Sequence, residues 1–465
     1  MASTRPEISS GSYPKVKPVN PFSRVIGSVL DAGREILARR GFGISLEGGG
    51  PDALIKACQQ LLEHRGEASG LALASEITSA YRMLDEQGRE NFFVGLARDF
   101  DVDEAEIMAA ADRYKNSPDA DSLASIVKAV EAPRQKLFRR INMAPDGTAT
   151  LVAMRGQLIP LARSNPALAA VDSDMRHLFI SWFNKGFLEM RRIDWGSPAM
   201  VLEKIIEYEA VHAINGWSDL RNRLAPDRLC YAFFHPAMPN DPLVFVEIAL
   251  TQGVADKVGP LLAQPREMID PQKMDTVIFY SISNCHPGLA GVSFGNFLLK
   301  HVVEEIHREI PAIKQFVTLS PVPGFTRWLR QQDLAELVDS RGQGVLEKIL
   351  REEETAESTD KGEKLSPQTG LDAESATILL NLCAQYLYNT RRDGLAWDPV
   401  ARFHLGNGAS LHQLNWAADL SDKGVSQSLG IMVNYLYDLK KIEVNHDEYF
   451  DQSKISASKA IRKLL

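Results

Sequence analysis

The sequence predicts an α+β protein: an all-helical amino-terminal bundle followed by a second domain that mixes strands with helices. Before residue 190, apolar residues recur at helical spacing and strand-like alternation is scarce. After it come three runs rich in β-formers, Arg228–Phe234, Leu243–Leu250 and Thr276–Ser283. The stretch Asp275–Ile310 adds a junction between the two kinds of element. Val277–Ile282 reads as a strand, a glycine-punctuated turn follows, and Phe297, Leu298, Val302, Val303 and Ile306 then share one helical face.

Taken in order, residues 1–20 are rich in Ser, Pro and Gly and read as a disordered arm. Residues 21–193 form the helical domain. Phe22, Val25, Ile26, Val29 and Leu30 fall at i, i+3, i+4, i+7 and i+8, and the period returns in Leu54–Leu62 and Leu73–Leu84. Breaks at Gly41–Pro51, Gly66–Gly70, Asn116–Pro118, Ala144–Gly147 and Ser164–Pro166 divide it into helices of ordinary length.

The Asp-Trp-Gly-Ser-Pro stretch at 194–198 sets a boundary, and residues 194–465 form the second domain. Ala199–Val211 reads as a short helix, and His235–Asp241 suits a hairpin connection between the first two strands. Gln315–Leu319 is one more strand, which the prolines of Ser320-Pro321-Val322-Pro323-Gly324-Phe325 stop. Residues 351–372 are highly charged and read as a solvated loop. Ala376–Leu387 is helical, Ala401–Gly424 is a glycine-broken segment dense in His, Asn and Trp that suits a pocket lining, and Leu429–Leu439 reads as a last helix.

Composition narrows the function classes. The chain has 465 residues and a net charge of -8, which argues against a nucleic-acid surface. Any polyanionic ligand must be met by local donors. Cys58, Cys230, Cys285 and Cys383 are far apart with no CxxC pairing, so neither a zinc site nor a disulfide framework is indicated, and a reducing compartment fits. No apolar run approaches a membrane span, and neither end carries a recognisable targeting signal, so a cytoplasmic location is expected.

Several residues have the chemistry for a site. Gly288, Gly291 and Gly295 lie near a helix start, where free backbone N–H groups favour a phosphate, although a turn needing backbone freedom accounts for them as well. Ser320 ends a strand before a rigid turn and is either a turn residue or a projected hydroxyl. His404, between Phe403 and Leu405, is either a satisfied half-buried side chain or a proton-transfer group. Glu247 lies inside an apolar strand, with an edge-facing position preferred over a buried one of raised pKa. His235 reads as turn chemistry, and His212 and Cys285 have no supporting motif.

Read together, IFYSIS, GLAGVSFGNFLLKHVV, LSPVPGFTRWL and PVARFHLGNGASLHQLNWAADLSDKG, in that order, resemble the malonyl-CoA decarboxylase family. Glu209–Leu224 and His235–Thr251 support the match. The resemblance implies an amino-terminal domain used in oligomer contacts, as a homodimer or homotetramer, and a catalytic domain of the N-acetyltransferase (GNAT) fold. It places the acyl-CoA-binding loop at Ala290, Gly291, Val292, Ser293, Phe294, Gly295 and Asn296, and the catalytic residues at Ser320 and His404. Ser293 stands where some members carry a glutamate.

The implied reaction turns malonyl-CoA into acetyl-CoA and carbon dioxide. Losing the carboxylate leaves a thioester enolate, so the thioester is the electron sink and no metal or organic cofactor is required. His404 is then the general acid that protonates the enolate, and it is expected to titrate near neutrality; Ser320 orients the malonyl group or, alternatively, acts as a nucleophile. Asn407 and Asn415 are further amide donors in the same segment. Two other readings stand beside this one: an acyl-CoA-dependent acyltransferase of the same fold, and a non-catalytic acyl-CoA-binding protein.

Overall fold

The computed structural model describes residues 21–39, 49–266, 268, 270, 273–292, 298–358 and 373–465. The predicted arm at 1–20 lies outside them. The chain forms two compact units, Met1–Phe179 and Ile180–Leu465.

The first unit is helical throughout its described residues: Pro21–Arg39, Pro51–Glu63, Glu67–Met83, Glu86–Asp99, Glu104–Asn116, Ala120–Val130, Pro133–Asn142 and Gly147–Ser164, with Ala169–Trp182 carrying the boundary. Their starts follow from the sequence. Pro51 and Pro133 occupy first-turn positions, where the missing N–H costs nothing, and Asp85, Asp103 and Asp119 accept the orphan amides as N-caps. The interior holds Leu54, Leu61, Leu73, Ile77 and a cluster of Tyr81, Phe92 and Phe93 whose ring centroids lie 5.5–6.1 Å apart.

The second unit is built on a mixed sheet of eight strands. They are β1 (Glu189–Arg192), β2 (Arg228–Phe234), β3 (Val244–Thr251), β4 (Thr276–Asn284), β5 (Gln315–Thr318), β6 (Ser320–Pro321), β9 (Ser410–Asn415) and β10 (Met432–Leu436). A separate hairpin, β7 (Arg391–Arg392) and β8 (Leu395–Ala396), turns through Asp393 and Gly394, both at positive φ. The sheet order is β1-β2-β3-β4-β5-β10-β6, with β9 also on β10, and β4/β5 is its parallel pair. The β4/β5 ladder covers Thr276–Phe279, so β4 continues to Asn284 beyond its neighbour's end. Helix Leu298–Glu309 supplies the β4-to-β5 crossover and buries Leu298, Leu299, Val302, Val303 and Ile306 in the core that also holds Val277 and Phe279. The architecture is α+β, a helical amino-terminal region followed by a mixed-sheet carboxy-terminal region. Among the described residues no helix is long and apolar enough to cross a membrane.

The structure differs from the sequence reading in four places. Strand β1 pairs with β2, so sheet begins at Glu189, ahead of the break at residue 194. Residues 351–358 complete helix Ser340–Ser358 rather than opening a loop, because Arg, Glu and Ala favour helix; 359–372 lie outside the described residues. The run Leu429–Leu439 contains strand β10, not a helix. Leu429 and Gly430 sit at positive φ, which ends the preceding helix, and Met432–Tyr435 are buried on both faces, the pattern of an interior strand. Finally, the ladder does not stop at Leu319: Ser320 and Pro321 pair with Val433 and Met432.

Candidate active site

Ser320 and His404, 84 residues apart in sequence, meet where β5, β6 and β10 converge. Helix Pro399–Gly406 carries His404 in its last turn. It begins with Asp398 as N-cap and Pro399 at the first position, a pairing that starts helices. His404 Nε2 lies 3.0 Å from Ser320 Oγ, and its Nδ1 lies 2.8 Å from the Tyr437 hydroxyl. The imidazole stacks on Tyr435 with centroids 4.5 Å apart.

One histidine tautomer fits this set of contacts. Ser320 donates its single hydroxyl proton to Thr318 Oγ1 at 2.8 Å, so in the contact with His404 the nitrogen donates. The form that fits is Nε2–H, with Nδ1 accepting from Tyr437. Burial pushes the imidazole down to about 3, and among the described residues its ring nitrogens meet the hydroxyls of Ser320 and Tyr437 rather than a carboxylate. This corrects the expectation that His404 titrates near neutrality: a 2% exposed ring offers an imidazolium no solvation. Burial likewise pushes Tyr437 and Tyr435 above the usual phenol range.

The pair opens onto a cavity of about 820 Å³. Ala290, Gly291 and Val292 of the predicted acyl-CoA loop line it, Gly291 at φ 73, a conformation that favours glycine. Ser293, Phe294, Gly295 and Asn296 lie outside the described residues. Tyr280, Ser281, Ile282 and Asn284 line the same cavity from the β4 extension. Arg402 is the one lysine or arginine among its described lining residues; its Nε is anchored on the Ala396 carbonyl at 2.9 Å. Asn407 lines the cavity, whereas Asn415 is turned to Asn434 at 2.6 Å.

The remaining candidates take structural positions. Glu247 is buried, not edge-facing; burial and the nearby Glu209 carboxylate push it up to about 8, against Arg223 at 2.8 Å. His235 Nδ1 accepts the Ala237 amide at 3.1 Å, as a turn residue does. His212 is buried, its backbone N–H held by Glu209. Burial raises the Cys285 thiol, which leaves it no thiolate character.

Four contributors, Thr318, Tyr435, Tyr437 and Asp398, were not singled out in the sequence. Thr318 and Ser320, and Tyr435 and Tyr437, are each two residues apart, so each pair faces one way from extended chain. Reading Leu429–Leu439 as a helix hid the second pair. The fourth is Asp398, whose place immediately before a proline at a helix start is itself a sequence signal.

Comparison with known proteins agrees with this architecture. The model of the malonyl-CoA decarboxylase C-terminal domain matches residues 186–465, and that of the N-terminal domain matches residues 100–183. The crystal structure of malonyl-CoA decarboxylase from Rhodopseudomonas palustris is 45% identical, covers 89% of this chain and 99% of its own, and superposes with a TM-score of 0.81. The corresponding protein from Agrobacterium vitis is 43% identical over 88% and 99% of the two chains, with a TM-score of 0.78. The mitochondrial malonyl-CoA decarboxylase of Anser anser anser is 33% identical over 83% of this chain and 82% of its own. On the two family models, which together span most of the sequence, this chain belongs to the malonyl-CoA decarboxylase family of carbon–carbon lyases.

Proposed function

We propose that this protein decarboxylates malonyl-CoA to acetyl-CoA and carbon dioxide through Ser320 and His404, without a metal or organic cofactor. The observation that carries the reading is the Ser320–His404 contact of 3.0 Å at the wall of the cavity. The carbon–carbon bond to the carboxylate breaks, its electron pair passes into the thioester as an enolate, and carbon dioxide leaves. Carbon then takes one proton. His404 supplies it as a neutral donor: Ser320, which orients the malonyl group, passes its hydroxyl proton to carbon while Nε2–H restores the hydroxyl, and water repays one proton per turnover. A neutral imidazole suffices because a thioester enolate is a stronger base than the imidazolate left behind, which the water proton returns to the neutral ring. The alternative, Ser320 as nucleophile, requires the other tautomer, with His404 Nε2 accepting the serine proton.

The loop Ala290–Asn296 is the proposed acyl-CoA-binding segment, lying in the chain between β4 and the crossover helix of a catalytic domain of the N-acetyltransferase type. Arg402 is the proposed partner of one anionic group of the substrate. The helical domain is proposed to join copies into a dimer or tetramer through Leu123, Val127 and Val130, which lie exposed at i, i+4 and i+7 of one helix. Light scattering on Leu123→Asp, expected to give monomers, tests that point; an unchanged mass rejects it.

Incubation with malonyl-CoA alone, following acetyl-CoA and carbon dioxide, tests the activity. Stoichiometric products are expected from the wild type, with Ser320→Ala and His404→Ala folded and slower by about 10²- to 10⁴-fold, the range of a positioned proton-transfer group. Wild-type rates in both variants reject the pair, and no product from the wild type rejects the activity.

A further inference from the structure

Asp398 bridges the two segments that carry Ser320 and His404. It is 1% exposed, and both of its oxygens are engaged. Oδ1 accepts the amides of Val400 and Ala401, at 2.9 and 3.0 Å, and so caps the helix that ends in His404. Oδ2 turns the other way and accepts the Gly324 amide and the Tyr386 hydroxyl, each at 3.2 Å.

Gly324 closes the turn that begins at Ser320, and Pro321 and Pro323 lie between them. Each proline fixes its own φ, so the position of the Gly324 amide is transmitted stiffly to the serine. The approach at this point is close: a Cβ on residue 324 would lie 2.2 Å from the Tyr386 hydroxyl oxygen and 3.4 Å from Asp398 Oδ2. One carboxylate thus holds both the start of the histidine helix and the end of the serine turn. Helix capping alone needs only Oδ1. Burying the second oxygen against Gly324 and Tyr386 carries a desolvation cost that a cap does not demand.

The geometry points to Asp398 as a positioning residue for the reaction, which sets the Ser320–His404 distance by tying Gly324 to the first turn of helix Pro399–Gly406. It touches neither the substrate nor the reacting atoms. A displacement of about 1 Å between the two segments would take a 3.0 Å contact out of hydrogen-bond range, and misplacement on that scale costs on the order of 10²-fold in rate.

The proposal rests on the decarboxylase reading for its kinetic test but not for its structural one. Asp398→Ser keeps an oxygen for the helix cap yet is too short to reach Gly324; Asp398→Asn keeps the length but presents an NH2 group to the Gly324 N–H; Tyr386→Phe removes one partner and leaves the cap intact. For each Asp398 variant kcat is expected to fall roughly 10- to 100-fold with KM within about threefold, and for Tyr386→Phe about threefold or more. The solvent deuterium isotope effect on kcat should rise, because proton delivery to carbon becomes the slower step. Lower kcat with an unchanged isotope effect reports only lost active protein and overturns the proposal, as does a folded Asp398 variant with wild-type kcat. If neither Asp398 variant folds, Tyr386→Phe decides by the same criteria. A crystal structure of the Asp398→Ser protein, or of Tyr386→Phe where that variant must serve, reads the tie without turnover. Separation of Ser320 Oγ and His404 Nε2 beyond about 3.5 Å is expected, and an unchanged contact overturns the proposal even if the wild type proves inactive on malonyl-CoA.

Discussion

A histidine held neutral in the interior makes a protein sensitive to acid in a calculable way. The unfolded chain binds a proton at the ordinary histidine value of 6.5, whereas the folded chain binds one at His404 only near about 3. Between those values the unfolded state holds the extra proton, so stability is fully present above about pH 6.5 and falls as the pH drops toward 3. At about 1.4 kcal/mol per pK unit, His404 alone takes away about 2 kcal/mol between pH 8 and pH 5.

Replacing it with glutamine, which has amide groups for Ser320 and Tyr437 but does not titrate, removes that dependence. Urea unfolding of wild type and His404→Gln at the two pH values isolates the term, because every other ionisable group cancels in the double difference. All six tryptophans lie between Trp182 and Trp416, so their fluorescence reports on the second unit rather than on the helical one. The expected result is that the wild type loses about 2 kcal/mol more than the variant on going to pH 5. Equal losses would refute a buried, neutral His404, and a wild type that loses less than the variant would mean the folded protein holds the imidazolium.

Other outcomes follow from the same geometry. Arg402→Gln is expected to raise KM for malonyl-CoA about tenfold, roughly 1.4 kcal/mol, with kcat nearly unchanged; an unaltered KM would remove Arg402 from substrate binding. Exhaustive dialysis against a chelator should leave kcat intact, and activity that falls and returns with a divalent ion would overturn the cofactor-free chemistry. Gly324→Ala should cost about 1–3 kcal/mol in urea unfolding, since its Cβ would meet the Tyr386 hydroxyl oxygen at 2.2 Å. Adding Tyr386→Phe removes that oxygen and should restore part of the loss, whereas strict additivity would locate the clash elsewhere.

The sequence made the helical half legible because its signals are local. Amphipathic spacing, aspartate caps and first-turn prolines lie within a few residues of the ends they define. Strands β2, β3 and β4 were readable for the same reason, each a run of β-formers set off by turn residues. Strand β10 was not, because a short apolar run carries no period of its own. Its extended form is imposed by β5, β6 and β9, distant in sequence, and by the positive-φ residues Leu429 and Gly430. That misreading propagated into the site. Ser320 and His404 were found through the motifs that surround them, but the partners that fix their states required the tertiary arrangement. The expected titration of His404 failed likewise: no neighbour in sequence indicates that residue 404 is enclosed by Tyr435, Tyr437 and Ser320.

The unequal lengths of β4 and β5 have a consequence of their own. A strand that outruns its neighbour leaves a row of backbone donors and acceptors along one margin, and on a protein's surface such a margin recruits other chains. Here Tyr280, Ser281, Ile282 and Asn284 lie along the wall of a cavity instead. What can reach it is a slender linear molecule carrying amides of its own, which could lie alongside as a substitute strand. Recognition of that kind depends on main-chain spacing, while the side chains of Ser281 and Ser283 are engaged by the Glu209 carboxylate.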